Sequence, residues 1–442
     1  MSSSLTYIDP TATVGLMQTL SSALAVVSTA TANAPLYTNS DYIRGATNSL
    51  NIISAQGILA TATDAQSQAQ ATAIIESAIL DLAALSFDEN LYNEWLTLWP
   101  NVVFAVVFGI LLTIHVLLTL LSGYWYFGAV LLIGSGLTFA GYLSRCISVG
   151  NESDENPFLS QFITLTISPA FVMAGLYYML GRMLVFHGDH FSIMRPRWFS
   201  YIFISCDILS IVIQAIGGGV AAGALSEKQS TLTGTHTMVA GIAFQVVSMS
   251  FFIFVLAEFV IKSLFHNTNQ VPFSLSNLFA LLFNTKRGKE LREFLEPNYV
   301  PNYLEVRQKK LFPYVTLSLF AGTAFIYIRC IYRLVELSQG WSGFLIRHQA
   351  FLMSLDALQV AFTCGLMIIF HPYFSWGARK LVKLSDRLVN NIELEKIITR
   401  DLENGSVDDD EDQSVCGSAI NVQMDNSIFN NRVESDQDKN FA

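Results

Sequence analysis

Between residues 98 and 373 the chain carries seven apolar runs, each of 18 residues or more, at 98–121, 126–143, 159–184, 199–225, 238–265, 311–337 and 349–373. At 1.5 Å per residue each run is about long enough to cross roughly 30 Å of hydrocarbon as a helix. Lipid offers no hydrogen bonds to the backbone, so a spanning segment is either a helix or a strand of a closed barrel, and runs of this length exceed barrel strands. The fold expected is an all-α integral membrane protein with seven transmembrane helices. Composition agrees: 52% of residues are apolar and 14% charged, a balance that excludes an ordinary soluble enzyme.

Cations fix the orientation, because short cytoplasmic loops hold an excess of Lys and Arg. One side has Arg195 and Arg197 after the third run, Lys286, Arg287, Lys289, Arg292, Arg307, Lys309 and Lys310 after the fifth, and Arg379, Lys380, Lys383 and Arg387 after the seventh. The other has only Arg44, Arg145, Lys228 and Arg347. The N-terminus is therefore expected outside and the C-terminus in the cytosol. The loop after the second run then faces out and presents Asn151-Glu152-Ser153, a glycosylation acceptor triplet at Asn151.

Three regions follow. Residues 1–97 form an external segment rich in Ala, Ser and Thr, lightly packed, with a weak helix expected over 52–85. Residues 98–376 are the membrane domain, and residues 377–442 a cytosolic, acidic, disordered tail with the run Asp408 to Asp412. The net charge of −10 resides largely at these two ends and excludes nucleic-acid binding. The basic stretch 286–294 reads either as an amphipathic helix on the inner leaflet or as a solvated connector.

Ionisable and polar groups at membrane depth are costly and mark a candidate substrate path. Asp207, Ser210, Gln214 and Gly217 recur at steps of three or four on one face of the fourth helix, with Asp207 roughly 13 Å from its cytosolic end. Gly217-Gly218-Gly219 beyond them permits close helix contact or a loosened backbone. Arg329, Tyr332, Arg333 and Glu336 share one face of the sixth helix, with Asp356 on the seventh within reach; an ion network joining these helices is the competing structural reading. Gln245 joins the path from the fifth helix, and Glu258 and Arg182 lie near the cytosolic boundary, where long side chains reach water. Glu258, Asp207, Glu336 and Asp356 together suggest a ladder of carboxylates suited to a protonated amine whose tail stays in lipid. No phosphate loop or G-x-S-x-G elbow occurs, the five cysteines show no disulfide or zinc spacing, and His187 with His190 reads as a solvated loop. No catalytic residue, metal or cofactor is expected.

Several stretches in order carry a resemblance: Gly141-Tyr142 with Arg145, SPAFVMAGLYYMLGR over 168–182, CDILSIVIQAIGGG over 206–219, GIAFQVVSMSFF over 241–252, RCIYRLVE over 329–336 followed by Gly340 and Gly343, Asp356-Ala357, and His371-Pro372. They resemble the fungal lipid-translocating exporter family, the RTA-like proteins, over roughly residues 95–376. The resemblance implies a multi-pass fungal plasma-membrane protein that exports sphingoid long-chain bases or related lipids and gives resistance to toxic lipids or drugs. Its partners would be membrane lipids, sphingoid bases or phospholipids. The chain departs from the family's expected pattern at Gln349, where an acidic residue is expected. Two alternatives stand beside this reading: a seven-helix lipid-sensing receptor or regulator of transbilayer asymmetry, and a porphyrin or drug transporter. Against a G-protein-coupled receptor, the third helix ends in Leu180-Gly181-Arg182 and the seventh in His371-Pro372-Tyr373-Phe374.

Overall fold

The computed structural model describes residues 7–377 except 89, 93, 189–190, 193–195, 228, 266–271 and 341–342. The chain divides into units of residues 1–382 and 383–442. The expectations for the acidic tail, and for His190, Arg195 and Lys228, fall outside the described residues. All regular structure among the described residues is helical.

The N-terminal region is more ordered than its composition suggests. Instead of one weak helix it forms three, α1 (Thr13–Thr29), α2 (Asn33–Thr61) and α3 (Ala65–Asp88), with α2 packed on both neighbours. Ala23, Ala46, Ala55, Ala71 and Ala78 are buried, as is Ile52. Small side chains let the helix axes approach closely, so alanines that read as low complexity act as packing residues. The break in the expected helix falls at residues 62–64, where the Asp64 carboxylate accepts from the Ser67 N–H of α3.

The longer helices follow the apolar runs: α4 (Leu98–Ser122), α5 (Trp125–Ser148), α6 (Glu155–His187), α7 (Pro196–Ser226), α8 (Leu232–Phe265) and α12 (Phe312–Ser338). Gly123 ends α4 in the left-handed region (φ 69°), a conformation open to Gly at little cost, and its N–H returns to the Thr119 carbonyl. The last run is three pieces in register, α13 (Gln349–Phe351), a π-helical turn (Leu352–Ala357) and α14 (Leu358–Ile369), followed by the short α15 (Pro372–Trp376). Between α8 and α12 the chain folds into α9 (Leu275–Leu282), α10 (Lys286–Leu295) and α11 (Leu304–Arg307). The basic stretch of that loop is therefore helical.

Nine helical stretches among the described residues are long and apolar enough to cross a membrane: the seven runs, together with residues Pro10–Thr29 and Ala65–Asp88. Large apolar side chains on α4 and α7, among them Leu117, Leu121, Ile208, Ile216 and Val220, are exposed, as a lipid-facing surface requires. Within the bundle α5 packs on α4 and α6, α7 on α6 and α8, and α12 on α8, α6 and α14. The α7–α8 contact depends on missing side chains. A Cβ at Gly217 would stand 2.6 Å from the Met238 nitrogen, and one at Gly234 would stand 2.4 Å from the Ala221 nitrogen. Of the glycine triplet, Gly217 thus serves close helix packing, while a Cβ at Gly218 or Gly219 would meet nothing closer than 3.9 Å, and α7 runs through all three as a continuous helix.

Candidate functional site

The polar residues singled out from the sequence are brought inside the bundle in three groups, while Glu258 lies apart. Asp207 is 3% exposed, and its Oδ2 accepts a hydrogen bond from the Tyr177 hydroxyl at 2.9 Å. Its Oδ1 is buried with no partner. Tyr177, in the SPAFVMAGLYYMLGR stretch, is the partner that helical spacing alone does not reveal.

One turn further along α7, Ser210 donates to the Gly241 carbonyl at 2.8 Å, and Gln214 Nε2 donates to the Ser210 hydroxyl at 2.6 Å and to Gln245 Oε1 at 3.3 Å. This chain crosses the glycine contact between α7 and α8, because a Cβ at Gly241 would collide with the Gln214 side chain at 2.7 Å.

The third group is an ion network. Arg329 Nε lies 2.6 Å from Asp356 Oδ1, and Arg333 Nη2 lies 3.1 Å from Asp356 Oδ2. Arg333 Nη1 donates to Glu336 Oε2 at 2.9 Å, and the Tyr332 hydroxyl donates to Glu336 Oε1 at 2.9 Å. Two guanidinium groups thus face two carboxylates, all four largely buried. Asp356 sits in the π-helical turn, a local widening that recurs at functional positions and that no sequence periodicity announces.

These pairings engage most of the carboxylates of the expected ladder. Glu336 and Asp356 are neutralised by Arg333 and Arg329, and Glu258 pairs with Lys262 one turn away on α8. Of the three carboxylates deeper in the bundle, Glu336 and Asp356 have both oxygens engaged, whereas Asp207 Oδ1 has neither a hydrogen bond nor an ion pair; Glu258, beside Lys262, also leaves its Oε2 without a hydrogen bond.

Arg145 is a further member. It is 6% exposed, donates to Gln161 Oε1 at 3.0 Å and lies 5.2 Å from the centre of the Tyr92 ring. Charge counting placed it among outer loop cations; the fold turns it inward from the last turn of α5. A cavity of about 50 Å³ joins Arg145, Gln161, Arg333 and Glu336, and one of about 10 Å³ joins Gln214, Gln245, Arg329 and Arg333. Both are small beside the pockets that hold ligands, so this end of the interior is tightly filled.

Residues 90–92 and 94–97 close it. Glu152 accepts from the Leu96 N–H at 2.7 Å and from the Asn90 amide, and Tyr92 donates to Ser148 at 2.8 Å. Glu94 accepts from the Gln349 N–H at 3.0 Å, while Gln349 Oε1 accepts from the Thr97 hydroxyl at 2.7 Å. The Gln349 side chain uses only its oxygen here, and its Nε2 is buried without a hydrogen-bond partner. Burial pushes the Glu94 and Glu152 carboxyls above their usual range. Asn151, the acceptor residue of the triplet, is exposed in the same region.

His187 is not solvated. It is buried at the end of α6, bonded to the Met183 carbonyl at 2.9 Å and packed against Tyr299, Phe259 and Phe312. No trio of His, Cys, Asp or Glu suited to a metal ion occurs among the described residues.

Apolar helices with lipid-facing exteriors around a polar, ionic interior define an all-helical, multi-pass membrane protein. Within that class the chain belongs to the family of RTA1-like proteins, whose family model matches residues 131–379. The chain is 36% identical over 310 residues to the sphingoid long-chain base transporter RSB1 of Saccharomyces cerevisiae, covering 69% of this chain and 79% of that protein. It is 28% identical over 231 residues to protoporphyrin uptake protein 1 of the same yeast, covering 51% of this chain and 63% of that one. Protein RTM1 of that yeast is 26% identical over 240 residues, covering 54% of this chain and 65% of its own. No solved structure matches.

Proposed function

We propose that this protein carries sphingoid long-chain bases, or amphiphiles of the same charge, across the plasma membrane, lowering the toxicity of such lipids. The single observation that supports this most directly is Asp207: a buried carboxylate within a spanning helix, fixed by Tyr177 through one oxygen and buried without a hydrogen-bond partner at the other. An ammonium headgroup supplies the partner that this oxygen lacks, and the exposed apolar flanks of α7 leave the alkyl chain in lipid. The name of the yeast relative RSB1 agrees with this cargo.

The topology that supports the reading has seven spans, with the N-terminal helices and Asn151 outside. Although α1 and α3 are apolar enough to span, α2 packs along both and carries Asn33, Asn39, Asp41, Arg44, Asn48 and Asn51. Placing all three in lipid would bury those groups at several kcal/mol each for the charged ones. The Arg44–Asp88 ion pair, 3.8 Å across α2 and α3, is about half exposed, as befits a helical hairpin in water. The Arg329–Arg333–Glu336–Asp356 network is the outer lock of the path. Being internally neutral, it does not trap the cationic headgroup, and residues 90–92 and 94–97 cap it.

The test is release of a labelled long-chain base from liposomes that contain only the purified protein. Release above that of protein-free liposomes is expected; equal release contradicts the proposal. Faster movement of protoporphyrin than of the base would assign the other cargo.

A further inference from the structure

At the end of the bundle opposite Asn151, α9, α10 and α11 fold against α6, α8 and α12 around a cavity of about 690 Å³. That is the size range of small-molecule sites and more than ten times the outer cavities. Its floor is fixed by Arg307, which binds Glu296 through Nε and Nη2 and reaches the Phe186 and Val300 carbonyls through Nη1. Arg307 is therefore saturated and serves the fold.

The other cations are not saturated. Five Lys and Arg side chains line the cavity against two carboxylates, and Glu296 is taken up by Arg307. Lys289, Lys309 and Lys310 are exposed and have no ion pair among the described residues. Arg292 gives Nη2 to the Leu281 and Pro313 carbonyls, while its Nε is buried with no hydrogen-bond partner. A wall of this kind attracts an anion carrying more than one charge and repels a cationic amine.

The same wall is continuous with an apolar surface. α9 contributes Leu281 and Leu282 to the cavity, and Phe273, Leu275, Phe279 and Phe283 beside them are each more than half exposed. The ends of α8 and α12, through Leu264 and Tyr314, complete the lining, and because both helices are long and apolar enough to span a membrane, their ends put it near a bilayer surface. Exposed aromatic and aliphatic side chains next to unpaired lysines at that level suit the boundary between headgroups and acyl chains.

We infer that this cavity binds the phosphate-bearing headgroup of an anionic lipid from the adjacent leaflet, with its chains against the apolar row of α9. The site is separate from the path through Asp207 and has the opposite charge preference. It stands whether or not the protein carries long-chain bases, because it needs only the membrane setting.

The test follows the unfolding midpoint of the purified full-length protein in detergent, titrated with dioctanoyl phosphatidylinositol 4-phosphate. Dioctanoyl phosphatidylcholine and soluble inositol 1,4-bisphosphate are the comparators. A saturable upward shift is expected with the anionic lipid and not with phosphatidylcholine, and it should weaken with salt. Half-saturation should move at least tenfold higher in a Lys289→Ala, Lys309→Ala, Lys310→Ala variant, whose exposed side chains hold no part of the fold, and by a smaller factor in Lys309→Ala alone. No shift with the anionic lipid, or an unchanged titration in the triple variant, overturns the site. Binding of the soluble bisphosphate as tight as that of the lipid overturns the lipid assignment and leaves a soluble phosphate ligand.

Discussion

Arg329 Nη2 donates to the main-chain carbonyl of Leu165 at 2.5 Å, from α12 to the middle of α6. That carbonyl is free because the residue four positions on is Pro169, which has no N–H to give it. The proline is thus more than a tolerated kink: it leaves an acceptor in the interior, and the arginine that holds Asp356 fills it. Replacing Pro169 with Ala restores the helical N–H and sets it against Arg329 for one carbonyl. Purified Pro169→Ala protein should keep its helix content while infrared spectra of isotope-labelled Leu165 show an altered carbonyl frequency; an unchanged frequency would contradict the bond.

The ion network should be structural in energy. Asp356→Asn leaves Arg329 and Arg333 facing each other with only Glu336 for charge balance. Loss of one partner of a buried pair costs about 3–5 kcal/mol. The expected result is a lower unfolding temperature or reduced surface amount. Asp207→Asn should leave stability within about 1 kcal/mol, because the amide oxygen still accepts from Tyr177. Equal losses of stability in the two variants would refute this division.

The division was only partly legible in the sequence. Every apolar run lies within a helix or the broken last segment, apart from boundary residues such as Leu311, yet the helices often extend further: 126–143 became Trp125–Ser148 and 238–265 became Leu232–Phe265. Apolar windows stop where the hydrocarbon does, whereas the hydrogen-bonded ladder continues into the headgroups. The i, i+3, i+4 spacing of Arg329, Tyr332, Arg333 and Glu336 correctly put four groups on one face. Spacing within a helix could not show that Asp356 enters a π-helical turn, that Tyr177 meets Asp207, or that Gln349 bridges Glu94 and Thr97. Those relations depend on neighbouring helices. The alanines of α1 to α3 carry little hydropathy, so their packing role is not legible in the sequence, because close helix packing needs small side chains.

Residues 90–92 and 94–97 should respond to pH. Burial raises the Glu94 and Glu152 carboxyls, so the closed cap binds protons more tightly than the open one. Their contribution to closure is full below the ordinary carboxylate range and is lost as pH rises through the elevated values. Amide exchange at these residues, corrected for intrinsic rate, should therefore accelerate with rising pH across that window. Glu94→Gln should flatten the profile; a profile unchanged by that substitution would count against the cap.

The helix contact at Gly234 should be intolerant. Any Cβ meets the backbone of α7 at Ala221, which cannot rotate away. Gly234→Val should separate α7 from α8, break the Gln214–Gln245 bond and cut folded protein severely, while Gly219→Ala, with open space around it, should be neutral. Size-exclusion profiles of the two proteins from membranes would decide it.

The central claim is that Asp207 receives the headgroup, and it is tested most directly by flux of a labelled long-chain base from liposomes bearing wild-type or Asp207→Asn protein at matched, folded amounts. The account predicts protein-dependent flux that falls by an order of magnitude or more in the variant. Normal flux through Asp207→Asn would contradict it.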